Sequence, residues 1–148
     1  MMPSIKKFYE NVRKYGEELY YDWEEKIYEA ALNCPEVKVE LRHLFEIESD
    51  LDYKIDLAKI LAQLGEQIIV PYIYEHFATF DLDNKWDATK ALIYLNDNRA
   101  FEFFDKTYHL YQQCTDYENK HYPTMMHYDL EHIPNETAYK ILKIYYGK

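Results

Sequence analysis

Leu51 to Ile73 reads LDYKIDLAKILAQLGEQIIVPYI, and Leu82 to Phe104 reads LDNKWDATKALIYLNDNRAFEFF. Offset by 31 residues, the two stretches align. Asp56–Leu57–Ala58–Lys59–Ile60–Leu61 falls on Asp87–Ala88–Thr89–Lys90–Ala91–Leu92, Leu64–Gly65 on Leu95–Asn96, Ile69–Val70 on Ala100–Phe101, and Ile73 on Phe104. Both carry apolar residues at helical spacing: Ile55, Ala58, Leu61 and Leu64 in the first, Trp86, Ala88, Ala91, Leu92 and Leu95 in the second. Ser49 or Asp50, and Asp81 or Asp83, stand where a helix start needs a side-chain acceptor. Gly65 suits a left-handed helix stop, and Asn96–Asp97–Asn98 makes the matching turn. The second helices are predicted from about Gln67 to Phe77, with Ile69, Val70, Ile73 and Phe77 inward, and along Ala100, Phe101, Phe104 and Tyr108. Pro71 falls in a first turn, where its missing N–H costs nothing. A helix–turn–helix unit repeated at this period implies stacked hairpins that bury their apolar faces on their neighbours.

Outward from the repeats the helical spacing continues. Ser4 is placed to cap a first helix with Ile5, Phe8, Val12 and Tyr15 as its stripe, ended or bent at Gly16. The stripe resumes at Leu19, Trp23, Ile27 and Ala30 and stops at Asn33–Cys34–Pro35. Pro35 opens a helix carrying Val37, Leu41, Leu44 and Phe45. Beyond residue 115 the pattern departs from the repeat. Pro123 and Pro134 punctuate it, and Asn135 caps a last helix with Ala138, Ile141, Leu142 and Tyr145. Strand signals are nearly absent: there is no Asn-Gly or Asp-Gly turn and no sustained alternation. The expected fold is all-α, a short right-handed solenoid of antiparallel helix hairpins in a single domain over 1–148. Its repeats fall near 51–79 and 82–112, a degenerate copy near 28–47, and a non-repeat helical cap over 115–148.

Leu82 to Phe104 resembles a short HEAT repeat of the kind found in phycobilin-lyase-like proteins. The resemblance rests on its small-apolar first helix, the turn Asn96–Asp97–Asn98–Arg99–Ala100 and its apolar second helix. Leu51 to Ile73 is similar, with Gly65–Glu66 in place of the turn's usual Asp and Arg; Tyr28 to Phe45, turning at Leu32–Asn33, looks like a degenerate copy. The resemblance implies architecture. It leaves activity open, because the family is defined by core and turn positions. Some HEAT-like proteins are DNA glycosylases that grip DNA with a basic face. Here the corresponding helices carry Glu75, Glu102 and Asp105 against Lys106 and His109, which departs from that charge.

The formal net charge is −10 over 148 residues. Residues 1–15 carry +3, residues 16–56 carry −9, and the remainder −4. Binding to nucleic acid rests on Lys and Arg neutralising phosphates, so a basic protein is the partner this field attracts, and nucleic acid is not. No apolar run approaches the roughly 20 residues a bilayer-spanning helix needs, and the N-terminus lacks a signal-peptide h-region. The cytoplasm is the expected location. Cys34 and Cys114, without a CxxC, are expected as unpaired thiols.

Motifs for chemistry are sparse. Glu40–His43 and Glu118–His121 each read ExxH, the spacing used by di-iron carboxylate bundles, but turns break the chain too often for four long helices. His121, His127 and His132 cluster with Asp129 and Glu131 without a standard zinc spacing. No nucleophile elbow or phosphate loop is present, and three glycines leave little means of building one. The expectation is therefore a non-enzymatic binding module with no catalytic residue, metal or cofactor, of the inhibitor or immunity type, neutralising a basic partner such as a bacterial toxin. The alternative is an enzyme, metal-dependent through the C-terminal histidines or bilin-lyase-like. Glu17, Tyr21, Glu24 and Glu25, which interleave acids with aromatics on one predicted helix, are the first candidates for the partner surface, with Tyr20, Trp23 and Ile27 inward. Tyr74, Glu75, Glu102 and Asp105, on the repeat helices, are the second. The 17 tyrosines fit such a role, since Tyr offers a large rigid contact and a hydroxyl at low entropy cost.

Overall fold

The computed structural model describes residues 4–16, 18–115 and 121–147. Among the described residues it is all-helical, with nine α-helices and no strand. These are α1 (Lys6–Tyr15), α2 (Trp23–Leu32), α3 (Pro35–Ile47), α4 (Leu51–Gln63), α5 (Val70–His76), α6 (Leu82–Tyr94), α7 (Ala100–Gln112), α8 (Tyr122–Glu131) and α9 (Glu136–Tyr146). Short 3₁₀ segments, Gln67–Ile69 and Phe77–Thr79, flank α5. The chain divides into two compact units, Met1–Tyr72 and Ile73–Lys148.

The capping chemistry read from the sequence operates at both aligned stretches. The Asp50 carboxylate accepts the Tyr53 amide at 3.1 Å, and 31 residues later Asp81 accepts the Asn84 amide at 2.8 Å. At the other ends, the Glu66 amide donates to the Leu61 carbonyl at 2.9 Å and the Asp97 amide to the Leu92 carbonyl at 3.0 Å. These six-residue closures require a left-handed residue between, and Gly65 (φ 83°) and Asn96 (φ 51°) provide it. Burial follows the same offset. Ile55, Leu57, Ala58, Ile60, Leu61 and Ala62 are buried in α4; Trp86, Ala88, Thr89, Ala91, Leu92 and Ile93 are buried in α6.

In the first unit α2, α3 and α4 pack on one another around Trp23, Ile27, Leu41, Ile55 and Leu61. Tyr9 of α1 joins them, its ring tilted on Trp23 and edge-on to Tyr53. Glu40 of α3 crosses to the start of α1, where its Oε1 accepts the Ser4 hydroxyl at 3.0 Å and the amides of Ile5 (2.7 Å) and Lys6. The cap predicted for Ser4 therefore comes mainly from a residue 36 positions away. In the second unit α6 and α7 form a hairpin, and α8 and α9 pack together and against it. Asn135 caps α9 through the Ala138 amide at 3.0 Å while its own amide donates to the Ile93 carbonyl at 2.7 Å, so one side chain starts the last helix and fixes it to the end of α6.

Four details differ from the sequence-based expectation. Leu19 does not lie on a helix: α2 begins at Trp23, and Leu19 is exposed in the preceding turn. Ala31 rather than Ala30 completes the α2 stripe, because Trp23, Ile27 and Ala31 are four apart. On α1, Tyr9 is buried and Tyr15 is 53% exposed. On α7, Phe103 is buried at 3% and Phe101 lies 39% exposed, since the stripe that starts at Ala100 passes through 103, 104, 107 and 111. Cys34 and Cys114 are both free thiols.

Candidate functional site

The α2 region carries the first candidate surface. With Trp23, Ile27 and Ala31 turned inward, Glu25, Glu29 and Leu32 share the opposite face at i, i+4 and i+7, and all three are exposed. The turn before the helix leaves Leu19 73% and Tyr21 86% exposed, the highest values among the large hydrophobic side chains described. After the helix, Glu36 stands exposed in the first turn of α3. Its own backbone amide and the Cys34 thiol, at 3.2 Å, hold its carboxyl below the usual carboxylate range, so it stays ionised. The arrangement is a band of carboxylates punctuated by bare apolar groups.

The predicted residues distribute unevenly over this band. Glu17 lies outside the described residues. Tyr21 and Glu25 are exposed as expected, but Tyr21 sits in the turn and not on the helix, so the acidic-aromatic run is not one continuous helix. Glu24 is half-buried and lies 3.5 Å from the Lys59 ammonium, which also meets Asp56 at 3.5 Å. Glu24 therefore serves the packing of α2 on α4, whereas Glu25 faces solvent.

The second candidate group is organised by Arg99. Its guanidinium grips Glu102 through Nε (3.2 Å) and Nη2 (3.0 Å) and lies 4.5 Å from the centre of the Tyr74 ring. Lys106 meets the same Glu102 at 3.1 Å, and these two cations pull its pKa down to about 2. Tyr74 stacks on Phe103 and donates its hydroxyl to Asp97. Burial and the Asp97 carboxylate push its pKa up to about 12. Asp105 accepts the Tyr145 hydroxyl and lies 3.3 Å from His109. Glu75 extends furthest into solvent of this group, its side chain 76% exposed with His76 at 3.9 Å, while the Glu102 and Asp105 side chains are 43% and 45% exposed. The structure brings Tyr74 and Glu102 together, but within an internally neutralised cluster.

The tail histidines do not converge on a common point. His127 stacks on Tyr146 with ring centres 4.4 Å apart, and its Nε2 lies 3.4 Å from Glu131, out of line for a hydrogen bond. His132 engages the Tyr128 carbonyl at 2.8 Å. Glu40 of the first ExxH is committed to α1, and Glu118 of the second lies outside the described residues. Among the described residues no group of three or more His, Cys, Asp or Glu is placed to hold a metal ion, and no helix is long and apolar enough to cross a membrane.

Sequence reasoning missed a buried carboxylate. Glu48, 9% exposed, accepts the Tyr9 hydroxyl at 2.5 Å and the Asp50 amide at 2.9 Å, and Arg13 Nε lies 2.9 Å from it. It also missed a pair of lysines. Lys54 Nζ donates to the Phe45 carbonyl at 2.6 Å, and Lys85 Nζ to the carbonyls of Phe80 and, at 3.3 Å, Ala78. Lys54 and Lys85 are 31 residues apart, so the repeat offset was a signal that could have found them. No family model, curated protein or solved structure matches the chain.

Proposed function

We propose that the chain is a non-enzymatic protein-binding module whose acidic α2 band neutralises a basic protein, of the kind an immunity protein meets in a bacterial toxin. HEAT-like hairpins arranged as a short solenoid are the proposed scaffold. The shared caps, turn closures and burial at an offset of 31 residues support that part.

The observation that carries the functional reading is the exposed combination of Tyr21, Glu25, Glu29, Leu32 and Glu36. Bare apolar side chains supply contact area, the acids around them select a basic surface, and their field raises the encounter rate. The Glu102 face supports the reading less, because Arg99 and Lys106 already consume its charge.

The test begins with affinity isolation from the native cell at low salt, using the wild-type chain and a Glu25→Gln/Glu29→Gln variant side by side. The basic protein retained by wild type and depleted from the variant is then measured by surface plasmon resonance at two salt concentrations. Association should slow as salt rises, since steering is screened over about 8 Å at physiological ionic strength. The double Gln variant should lower the on-rate, and Tyr21→Ala should speed dissociation. Rates indifferent to salt and to all three substitutions would remove the α2 band from the interface.

A further inference from the structure

The second unit contains an open groove of about 490 Å³ between the 3₁₀ segment Phe77–Thr79 and the C-terminal half of α7. That volume falls in the range of small-molecule sites. Phe77 and Leu110 give it apolar walls, Lys85, Lys106 and His109 line it with basic groups, and Gln113 completes the lining. In a chain of net charge −10, no carboxylate is among the residues that line it.

The carboxylates near these basic groups are shared with other donors. Glu102, behind Lys106, is shared with Arg99, which holds it through two contacts, and Asp97 also lies beside Arg99. Asp105, beside His109, already accepts the Tyr145 hydroxyl. Lys85 donates to the main-chain carbonyls of Ala78 and Phe80, which orient it without neutralising it. Burial lowers the pKa of Lys85, and the Asp81 carboxylate partly offsets that. The aliphatic stems of Lys85 and Lys106 extend the apolar surface beneath their charges, and the two ammonium groups lie 5.5 and 5.4 Å from the ring centres of Phe77 and Phe103.

The geometry points to a binding site for a small anionic amphiphile, a carboxylate on a medium-length apolar chain, with the chain against Phe77 and Leu110 and the carboxylate between Lys106, His109 and Lys85. This site is separate from the protein-binding role proposed above and does not depend on it.

Decanoate is the probe, titrated into the full chain and followed by amide NMR shifts, with decan-1-ol and decyltrimethylammonium as neutral and cationic counterparts. Saturable decanoate shifts confined to 77–79, 85 and 106–113 are expected, with the two counterparts binding at least tenfold more weakly. Lys106→Gln/His109→Gln should weaken decanoate at least tenfold, and Leu110→Asp should abolish the shifts. A nitroxide-labelled decanoate should broaden the same amides in the wild-type chain, which keeps the site testable if Leu110→Asp fails to fold. Equal affinity for the alcohol or the ammonium compound, shifts centred elsewhere, or no saturable binding would overturn the assignment.

Discussion

Tyr111 is fully buried in the second unit, where its ring stacks on Tyr122 at 4.2 Å and its hydroxyl donates to Asp83 at 3.2 Å. Burial first, and the Asp83 carboxylate second, drive its pKa far above the ordinary phenol value. The same causes push Tyr122 up to about 12, and burial with Asp97 does the same to Tyr74. A raised phenol pKa leaves stability untouched while folded and unfolded chains are both protonated. Above about pH 10 the unfolded chain ionises and the folded one does not, so stability falls until the folded pKa is reached. Each fully shifted phenol costs about 1.4 kcal/mol per pH unit in that window. From about pH 10 to 12, Tyr111 contributes about 2.8 kcal/mol; Tyr74 and Tyr122, halved for partial solvent contact, together add about as much again. From these three phenols alone the loss of about 5–6 kcal/mol reaches the lower end of whole-domain stabilities, and Tyr9, Tyr145 and Tyr146, also raised by burial, act in the same direction. Far-UV circular dichroism and phenolate absorbance followed together through this range should show one set of tyrosines titrating freely near pH 10, and a second appearing together with helix loss. Tyr111→Phe should make the fall shallower by about 1.4 kcal/mol per pH unit. If all tyrosines titrate near pH 10 with the helices intact, the phenols are not protected as described.

Leu61→Ala and Leu92→Ala empty equivalent, fully buried positions, and each should cost roughly 2–5 kcal/mol in denaturant unfolding; a neutral result at either would mean the offset alignment is misplaced. Asp50→Ala and Asp81→Ala each remove a helix cap and should cost about 1 kcal/mol, while Asp→Asn at the same positions should restore most of it. Glu48→Ala leaves the buried Tyr9 hydroxyl without its acceptor and should cost about 1–3 kcal/mol, with a smaller penalty in a Tyr9→Phe background. Equal penalties in both backgrounds would show that the two groups are not coupled.

The elements most legible in the sequence are those fixed by short-range chemistry. Asp50, Asp81 and Asn135 cap helices through amides three residues on, and Gly65 and Asn96 take the left-handed conformation a helix stop needs. These depend on neighbours along the chain, and so does the stripe of α3. The errors arise where the deciding partner is distant. Periodicity carried the α2 stripe back to Leu19, but the Trp23 amide bonds to the Tyr20 carbonyl in a turn that periodicity does not reveal. Tyr9 reads as a polar-edged residue until Glu48, 39 positions later, takes its hydroxyl. The same holds for Glu40 at the start of α1 and for Arg99 over Tyr74: burial and charge pairing across helices decide which side chains stay exposed.

That distinction bears directly on where the acidity acts. Residues 16–56 carry a net charge of −9, yet many of those carboxylates are occupied by the fold. Glu40 caps α1, Glu48 binds Tyr9 and Arg13, Asp50 caps α4, Asp22 lies 3.8 Å from Lys26, and Glu24 with Asp56 holds Lys59. Glu25 and Glu29 remain on the exposed face of α2, with Glu36 beyond it. Two substitutions of identical chemistry should therefore separate architecture from recognition. Glu24→Gln should lower the melting temperature slightly, its half-exposed ion pair being worth less than about 1 kcal/mol, and change partner association little. Glu25→Gln/Glu29→Gln should leave or raise the melting temperature, because it removes two like charges at i, i+4, while slowing association. If Glu24→Gln slows association as much as the double variant does, the partner responds to net charge alone, and the exposed band is not its docking surface.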